Sequence, residues 1–313
     1  MDSMNQASSA MLFADRKAYD LWKSARPKSS DYVMSVSKQY GAVISLSDHR
    51  LLEWNRFGLQ QQKEGAYKNC SVSDRHRVRV RMDGTVFAEA TGGDQNGETK
   101  TASCRDAAFT LACDGVTYVI TEDGFVQIYG ISPYQYIDRN QVSAPPKEGE
   151  SRGYYGPEEW QRDWTNLDRL ATCGENLIGL RKDGTVAIAG GSPRWRAHFR
   201  SLRDIRQIAC TNSNFVTLDA SGNVRIIRDG LDTDFCSDAI MIAATKDTVY
   251  ALRENGTVTA TNPDDVANTW KDVLCIAASE NMVAAIDRTG TLLADPTNFT
   301  GKSWNGKKLN LKL

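Results

Sequence analysis

The chain has 313 residues, of which 41% are hydrophobic, 9% aromatic and 25% charged, an ordinary globular composition that buries a core and excludes wholesale disorder. Lys and Arg number 38 against 39 Asp and Glu, for a net charge of -1, so the cationic excess needed to bind phosphate backbones is missing and nucleic acid is disfavoured as a partner. Seven cysteines and three histidines, with no cysteine pair in CxxC spacing, predict free thiols, no metal, no cofactor and a reducing, cytoplasmic setting.

The first element in chain order is a short amphipathic helix over residues 10–24, within an N-terminal arm spanning 1–29. It groups Met11, Ala14, Ala18, Leu21 and Trp22 on one side, as a helix packed on the body of the protein would, or a tether or dimerisation element. The apolar run from Ala10 to Ala14 is broken by Asp15, Arg16 and Lys17, which makes it too short for a secretory or membrane segment.

From residue 30 onward one pattern recurs: an aliphatic strand, polar residues, a glycine turn, then Thr-Val or its equivalent. Typical copies are Val80-Arg81-Met82-Asp83-Gly84-Thr85-Val86 and Leu180-Arg181-Lys182-Asp183-Gly184-Thr185-Val186. The turn position falls at Arg50, Gly84, Gly124, Gly184, Gly222, Gly256 and Gly290, at intervals of 34, 40, 60, 38, 34 and 34. Asp-Gly, Asn-Gly and Ser-Gly between apolar strands predict tight hairpins of the two-residue, primed type. A second element precedes most hairpins, clearest in Trp270-Lys271-Asp272-Val273-Leu274-Cys275-Ile276-Ala277-Ala278, and reads as a strand running towards a central channel. At equivalent positions Cys113 and Cys210 are expected as small buried apolar groups. Seven units over residues 30–313 predict an all-β fold, a seven-bladed β-propeller with four strands per blade. The C-terminal Trp304–Leu313 restates half a repeat and is expected to close the ring with a strand beside the start of the propeller.

These hairpins, the Trp-x-Asp-Val lead-in at Trp270, and the steps Gly93-Asp94-Gln95-Asn96-Gly97-Glu98 and Trp54-Asn55-Arg56-Phe57-Gly58-Leu59-Gln60 resemble the repeats of the regulator of chromosome condensation family, in its divergent bacterial form. The resemblance covers residues 30–313 and implies the propeller fold. The family's Gly-His pair before the hairpin strand is replaced, for example by Ser279-Glu280-Asn281, so the family's exchange and chromatin roles transfer poorly.

Two segments depart from the repeat. The insertion 131–163 holds Tyr134, Tyr136, Tyr154, Tyr155 and Trp160, large rigid contact groups suited to a binding element, or else a flap over its own blade edge. The segment from Arg194 to Arg206 carries Arg194, Trp195, Arg196 and Arg200, a cationic surface for an acidic partner or a solvated face. Arg77, Arg79 and Arg81 alternate along one strand with the same two readings. No catalytic signature appears, because the recurring Asp forms turns and the histidines are scattered. The reading is a non-catalytic propeller that offers one face and the insertion to a protein partner. The alternatives are an enzyme or enzyme-associated propeller with a site at the channel mouth, or an exchange or chromatin role.

Overall fold

The computed structural model describes residues 31–90, 104–130 and 164–311, apart from 114, 174–175, 190–192, 229 and 298. The arm 1–29 with its expected helix and the insertion 131–163 lie outside these residues.

Blade A contains β1 (Tyr32–Val36), β2 (Tyr40–Ser45), β3 (Arg50–Asn55) and β4 (Gln60–Lys63); blade B contains β5 (Tyr67–Val72), β6 (His76–Arg81) and β7 (Val86–Ala90). Blade C is β8 (Ala107–Cys113), β9 (Val116–Thr121) and β10 (Val126–Gly130), and blade D is β11 (Leu167–Cys173), β12 (Asn176–Arg181) and β13 (Val186–Ala189), followed by the helix α1 (Pro193–Ser201). Blade E is β14 (Ile205–Cys210), β15 (Phe215–Asp219), β16 (Val224–Arg228) and β17 (Leu231–Cys236). Blade F is β18 (Ala239–Ala244), β19 (Val249–Arg253) and β20 (Val258–Ala260), followed by a 3-10 turn, Val266–Thr269. Blade G is β21 (Val273–Ser279), β22 (Met282–Asp287), β23 (Thr291–Ala294) and β24 (Lys307–Lys308), with α2 (Phe299–Trp304) before its last strand. Each sheet is an antiparallel meander in sequence order. The fold is a seven-bladed β-propeller.

Among the described residues only blades A, E and G have a fourth strand, not all seven as expected. In blade D α1 packs on β13, and in blade F the 3-10 turn packs on β20. Asn268 Oδ1 there accepts the edge amide of Ala260 at 2.8 Å, so a side chain satisfies backbone that a strand would otherwise pair.

The hairpins also differ from expectation. Gly84 N donates to Arg81 O at 3.0 Å and Arg81 N to Thr85 O at 2.9 Å, and Gly84 alone within the turn has a positive φ, +82°. This is a type I turn closed by a glycine bulge, which needs one left-handed residue where a primed turn of type I′ needs two. The Asp of the motif braces the turn from its side chain. Asp83 Oδ1 accepts from Thr85 N at 2.9 Å and Thr85 Oγ at 2.7 Å, and Asp183 with Thr185 and Asn255 with Thr257 repeat the arrangement.

The glycine turn also joins one blade to the next. Gly84 O accepts from Ala107 N at 3.1 Å, Gly124 O from Leu167 N at 3.0 Å and Gly256 O from Val273 N at 2.9 Å. A Cβ on Gly84 would lie 2.8 Å from Arg105 O. The residue before the receiving strand takes a left-handed φ, 57° at Asn166, 58° at Asp204, 60° at Asp238 and 54° at Asp272. Asn and Asp tolerate that conformation, which accounts for the Asp of the lead-in.

Seven hydrophobic clusters fill the fold, one between each pair of neighbouring blades. Alternate residues of a strand serve opposite neighbours: Val43 of β2 packs towards blade G, while Ala42 and Ile44 pack towards blade B. Both faces are therefore buried, and the strands read as nearly continuous apolar runs. Blade G closes on blade A by packing of β21 against β1. The C-terminal segment adds β24 to its own blade, pairing with β23, rather than to the start of the propeller. It reaches blade A through side chains, with Trp304 fully buried and its Nε1 donating to Asn55 O at 3.0 Å. Leu309 N takes the carbonyl of Gly290 at 2.8 Å, the bond that a following blade would make.

Candidate functional site

Helix α1 brings the predicted arginines to the outside of the ring. It buries Phe199 completely, edge-on to Phe215 at 4.9 Å, between blades D and E. With Phe199 held in the core, Arg200 faces solvent and Arg196 is half-exposed. Arg194 and Trp195 lie on the same helix, their side chains outside the described residues, as are Tyr134, Tyr136, Tyr154, Tyr155 and Trp160. The segment is helical as far as Ser201, and its later arginines are structural. Arg203 donates to the carbonyls of Arg200 at 2.5 Å and Leu202 at 2.7 Å, satisfying the helix end, and Arg206 donates to Ala239 O of blade F at 2.6 Å. Between α1 and blade E lies a polar cleft of about 360 Å³, where His198 Nε2 sits 2.7 Å from Asp232 Oδ1 on the outermost strand.

The second arginine cluster finds its acidic partner within the molecule. Arg79 Nε and NH2 contact Glu53 at 2.5 and 2.8 Å and its guanidinium also reaches Glu89 at 2.8 Å, while Arg77 bonds Glu89 at 2.7 Å and Glu53 at 3.3 Å. Glu53 and Arg79 are both buried. Burial alone would favour loss of the Arg79 charge, but the hydrogen bonds it donates to Glu53 and Glu89 outweigh it and the net shift is upward. The same Arg79 bond holds the Glu89 carboxyl down at about 2. This network ties blade A to blade B and is not offered to another protein.

The histidines do not converge. His76 is buried between Ser73 Oγ at 2.9 Å and Thr117 Oγ of blade C at 2.7 Å, a structural bridge. Among the described residues no group of three or more His, Cys, Asp and Glu is placed to hold a metal ion. Cys210 is buried as expected, whereas Cys113 is only partly so and lines the channel. Burial pushes the Cys275 thiol up to about 12, which removes it from thiolate chemistry.

Neither a protein-family model nor a curated protein matches the chain. Among solved structures it is similar to the CRINKLY WD40 ectodomain of the Arabidopsis thaliana receptor kinase ACR4, at 9% identity and a TM-score of 0.55 over 85% of this chain and 94% of that one. The chain shares the propeller fold. It also matches yeast RCC1 (Prp20) bound to Kap60, at 12% identity and a TM-score of 0.49 over 77% of this chain and 74% of that one. A second Prp20p structure, from Saccharomyces cerevisiae, matches at 13% identity and a TM-score of 0.46 over 72% and 70%.

The propeller's channel opens into a cavity of about 360 Å³ at the end where the first turn of each blade lies. Its wall mixes apolar Val36, Val72, Leu111 and Val116 with polar Ser35, Ser71 and Thr172, and its rim is polar, with Ser37, Lys38, Ser73, Asp74, Glu280 and Asn281. Strands β7, β10 and β13 also end at this face, so the chain leaves Gly130 for residues 131–163 from here. Nothing in the repeat pattern singled out Asp74, and Glu280 stood out only within Ser279-Glu280-Asn281, in place of the family's Gly-His pair. Glu53 did leave a sequence signal, a lone carboxylate inside the apolar run Leu51-Leu52-Glu53-Trp54.

Proposed function

We infer that this propeller is a non-catalytic protein-binding scaffold, presenting the outer surface of α1, and the segment 131–163 that departs from the channel-mouth face, to an acidic protein partner. The observation that carries the reading is α1 itself. Where blades A, E and G place a strand, blade D places a helix that buries Phe199 in the core and shows Arg200 to solvent. Exposed Arg is enriched at protein–protein interfaces and among their hot spots.

The test is affinity capture from the native host with three forms of the full chain: wild type, Arg196→Glu with Arg200→Glu, and a deletion of 134–160. A partner captured by the wild type and lost from both variants, with unfolding midpoints unchanged, supports the reading. Retention of every wild-type partner by both variants overturns it.

A further inference from the structure

The turn that joins β3 to β4 in blade A holds apolar side chains out from the fold. Asn55 Oδ1 accepts from Phe57 N at 3.0 Å and from Leu59 N at 3.1 Å, Gly58 N donates to Asn55 O at 2.8 Å, and Gly58 takes the left-handed φ, +73°. These bonds fix the turn in a shape that leaves Phe57 49% and Leu59 66% exposed. A lone exposed leucine is ordinary, whereas neighbouring apolar groups held out on one braced turn point to a contact.

Cations surround this tip. The Arg56 guanidinium lies over the Phe57 ring at 4.9 Å. Lys307 of β24 comes alongside, where a Cβ on Gly58 would lie 2.9 Å from its Cδ, and its Nζ is 3.4 Å from Phe57 O. Helix α2 extends the cationic surface: Trp304 Nε1 donates to Asn55 O at one end, Thr300 Oγ donates to Lys38 O at 3.1 Å at the other, and Lys302 between them is exposed. Tyr40 pairs with Asn55, so the turn holding Lys38 stands at the same end of the blade as the tip. None of Lys38, Arg56, Lys302 and Lys307 pairs with a carboxylate of the described residues. The acidic groups at this end of blades A and G are Glu280, at the channel rim, and Asp295, which accepts from Thr297. The first turns of the flanking blades are balanced, with Asp74 beside Arg75 and Lys246 beside Asp247. The surroundings of the tip are therefore net positive.

Shape selects the class of partner. A peptide is received by a groove or by strand addition at a sheet edge, but this tip is the convex end of a hairpin, and the adjoining edge strand β4 is the polar run Gln60-Gln61-Gln62-Lys63. A bilayer needs no groove. It takes projecting apolar side chains at the boundary of headgroups and acyl chains, and cations among its acidic headgroups.

We propose that the Arg56–Leu59 tip docks the propeller on an anionic membrane surface, with Phe57 and Leu59 entering the bilayer interface and Arg56, Lys302 and Lys307 lying among phosphatidylserine-type headgroups. The contact is peripheral and reversible, because two side chains and a few cations do not anchor a protein permanently. It uses a surface separate from α1.

Co-sedimentation of the full chain with phosphatidylcholine vesicles, with and without about one-third phosphatidylserine, tests it. The wild type is expected to bind the anionic vesicles alone, and to be released as salt rises from about 0.1 to about 0.5 M. Arg56→Gln with Lys302→Gln should weaken binding about 25-fold, about fivefold for each cation removed. Phe57→Ser with Leu59→Ser should weaken it at least about tenfold and leave the salt dependence unchanged, because apolar surface is lost and charge is kept. All four positions are exposed, so unfolding midpoints should match wild type. Should the paired serine variant unfold early, Leu59→Ser alone is expected to weaken binding at least about threefold. Arg196→Glu with Arg200→Glu on α1 should bind vesicles like wild type, so the two surfaces stand or fall separately. No sedimentation with anionic vesicles, equal binding to neutral ones, or loss in the α1 variant with the tip variants unaffected would overturn the proposal. So would capture of a labelled Glu-Glu-Leu-Phe-Glu-Glu amide at the tip without vesicle binding, which would assign the surface to an acidic protein.

Discussion

Replacing Glu53 by Gln should be among the most damaging single changes of one charged atom in this propeller. Glu53 is 2% exposed and Arg79 4%, and the two share a bidentate contact at 2.5 and 2.8 Å, with Arg77 at 3.3 Å and Lys63 at 3.6 Å from the same carboxylate. Gln keeps the volume and one acceptor but removes the charge that Arg79 faces from blade A. Breaking a buried pair by removing one member costs about 3–5 kcal/mol. Glu89 remains bonded to Arg79, which places the expected loss near the bottom of that range, about 3 kcal/mol. Arg77→Met, at a partly exposed position, should cost no more than about 1 kcal/mol. The double change Glu53→Met with Arg79→Met replaces both charges by apolar volume and should come within about 1 kcal/mol of wild type. Urea unfolding followed by circular dichroism and tryptophan fluorescence measures all four proteins. A loss below about 1 kcal/mol for Glu53→Gln, or a double variant as unstable as the single, would refute the view that an uncompensated buried Arg79 drives the effect.

Two further outcomes follow from the turns and from the same network. Gly84→Ala should destabilise by roughly 2 kcal/mol or more in thermal or urea unfolding, because a left-handed alanine costs about 1–2 kcal/mol and its Cβ would also meet Arg105 O; Gly306→Ala, at φ +79° with nothing near the added carbon, should show the backbone cost alone. Glu89 has its pKa depressed to about 2 from 4.5 in the folded state, so its contribution to stability is fully present above about pH 4.5 and is lost as pH falls towards 2. With the side chain 46% exposed, solvent screening keeps that contribution to about 1 kcal/mol or less. Glu89→Gln should flatten the stability profile by that amount between about pH 5 and 2, measured against wild type at equal ionic strength, and an unchanged profile would contradict the Arg79–Glu89 bond.

The repeat was legible from the residues alone because local geometry demands it. A left-handed residue at each turn, glycine in six blades and His49 in blade A, an acceptor side chain before it and aliphatic residues on both faces of the strand are requirements that every blade meets separately, so they recur and can be counted. The bonds between blades were not legible, because each joins two surfaces whose chemistry must match only each other. Fifteen residues before each turn position, a side chain of the innermost strand meets the next blade: Ser35 accepts from Val72 N at 3.0 Å, Asn69 from Thr110 N at 2.9 Å, Gln207 from Ile242 N at 2.9 Å and Met241 Sδ from Ile276 N at 3.3 Å. Arg169 at that position stacks on the Phe109 ring at 5.2 Å. Ser, Asn, Gln, Met and Arg share no pattern that periodicity would reveal.

The arginines divide by the same logic. Their presence at 77, 79, 196, 200, 203 and 206 is plain in the sequence, but charge is satisfied by whatever carboxylate or carbonyl the fold brings near. Tertiary structure sent Arg77 and Arg79 to Glu53 and Glu89, Arg203 to a helix end and Arg206 to the next blade, and placed Arg196 and Arg200 on the outer helix. It likewise collected Asp74, Glu280 and the apolar strand ends at one channel mouth. Those residues come from blades distant in the chain, and only the closing of the ring makes them neighbours.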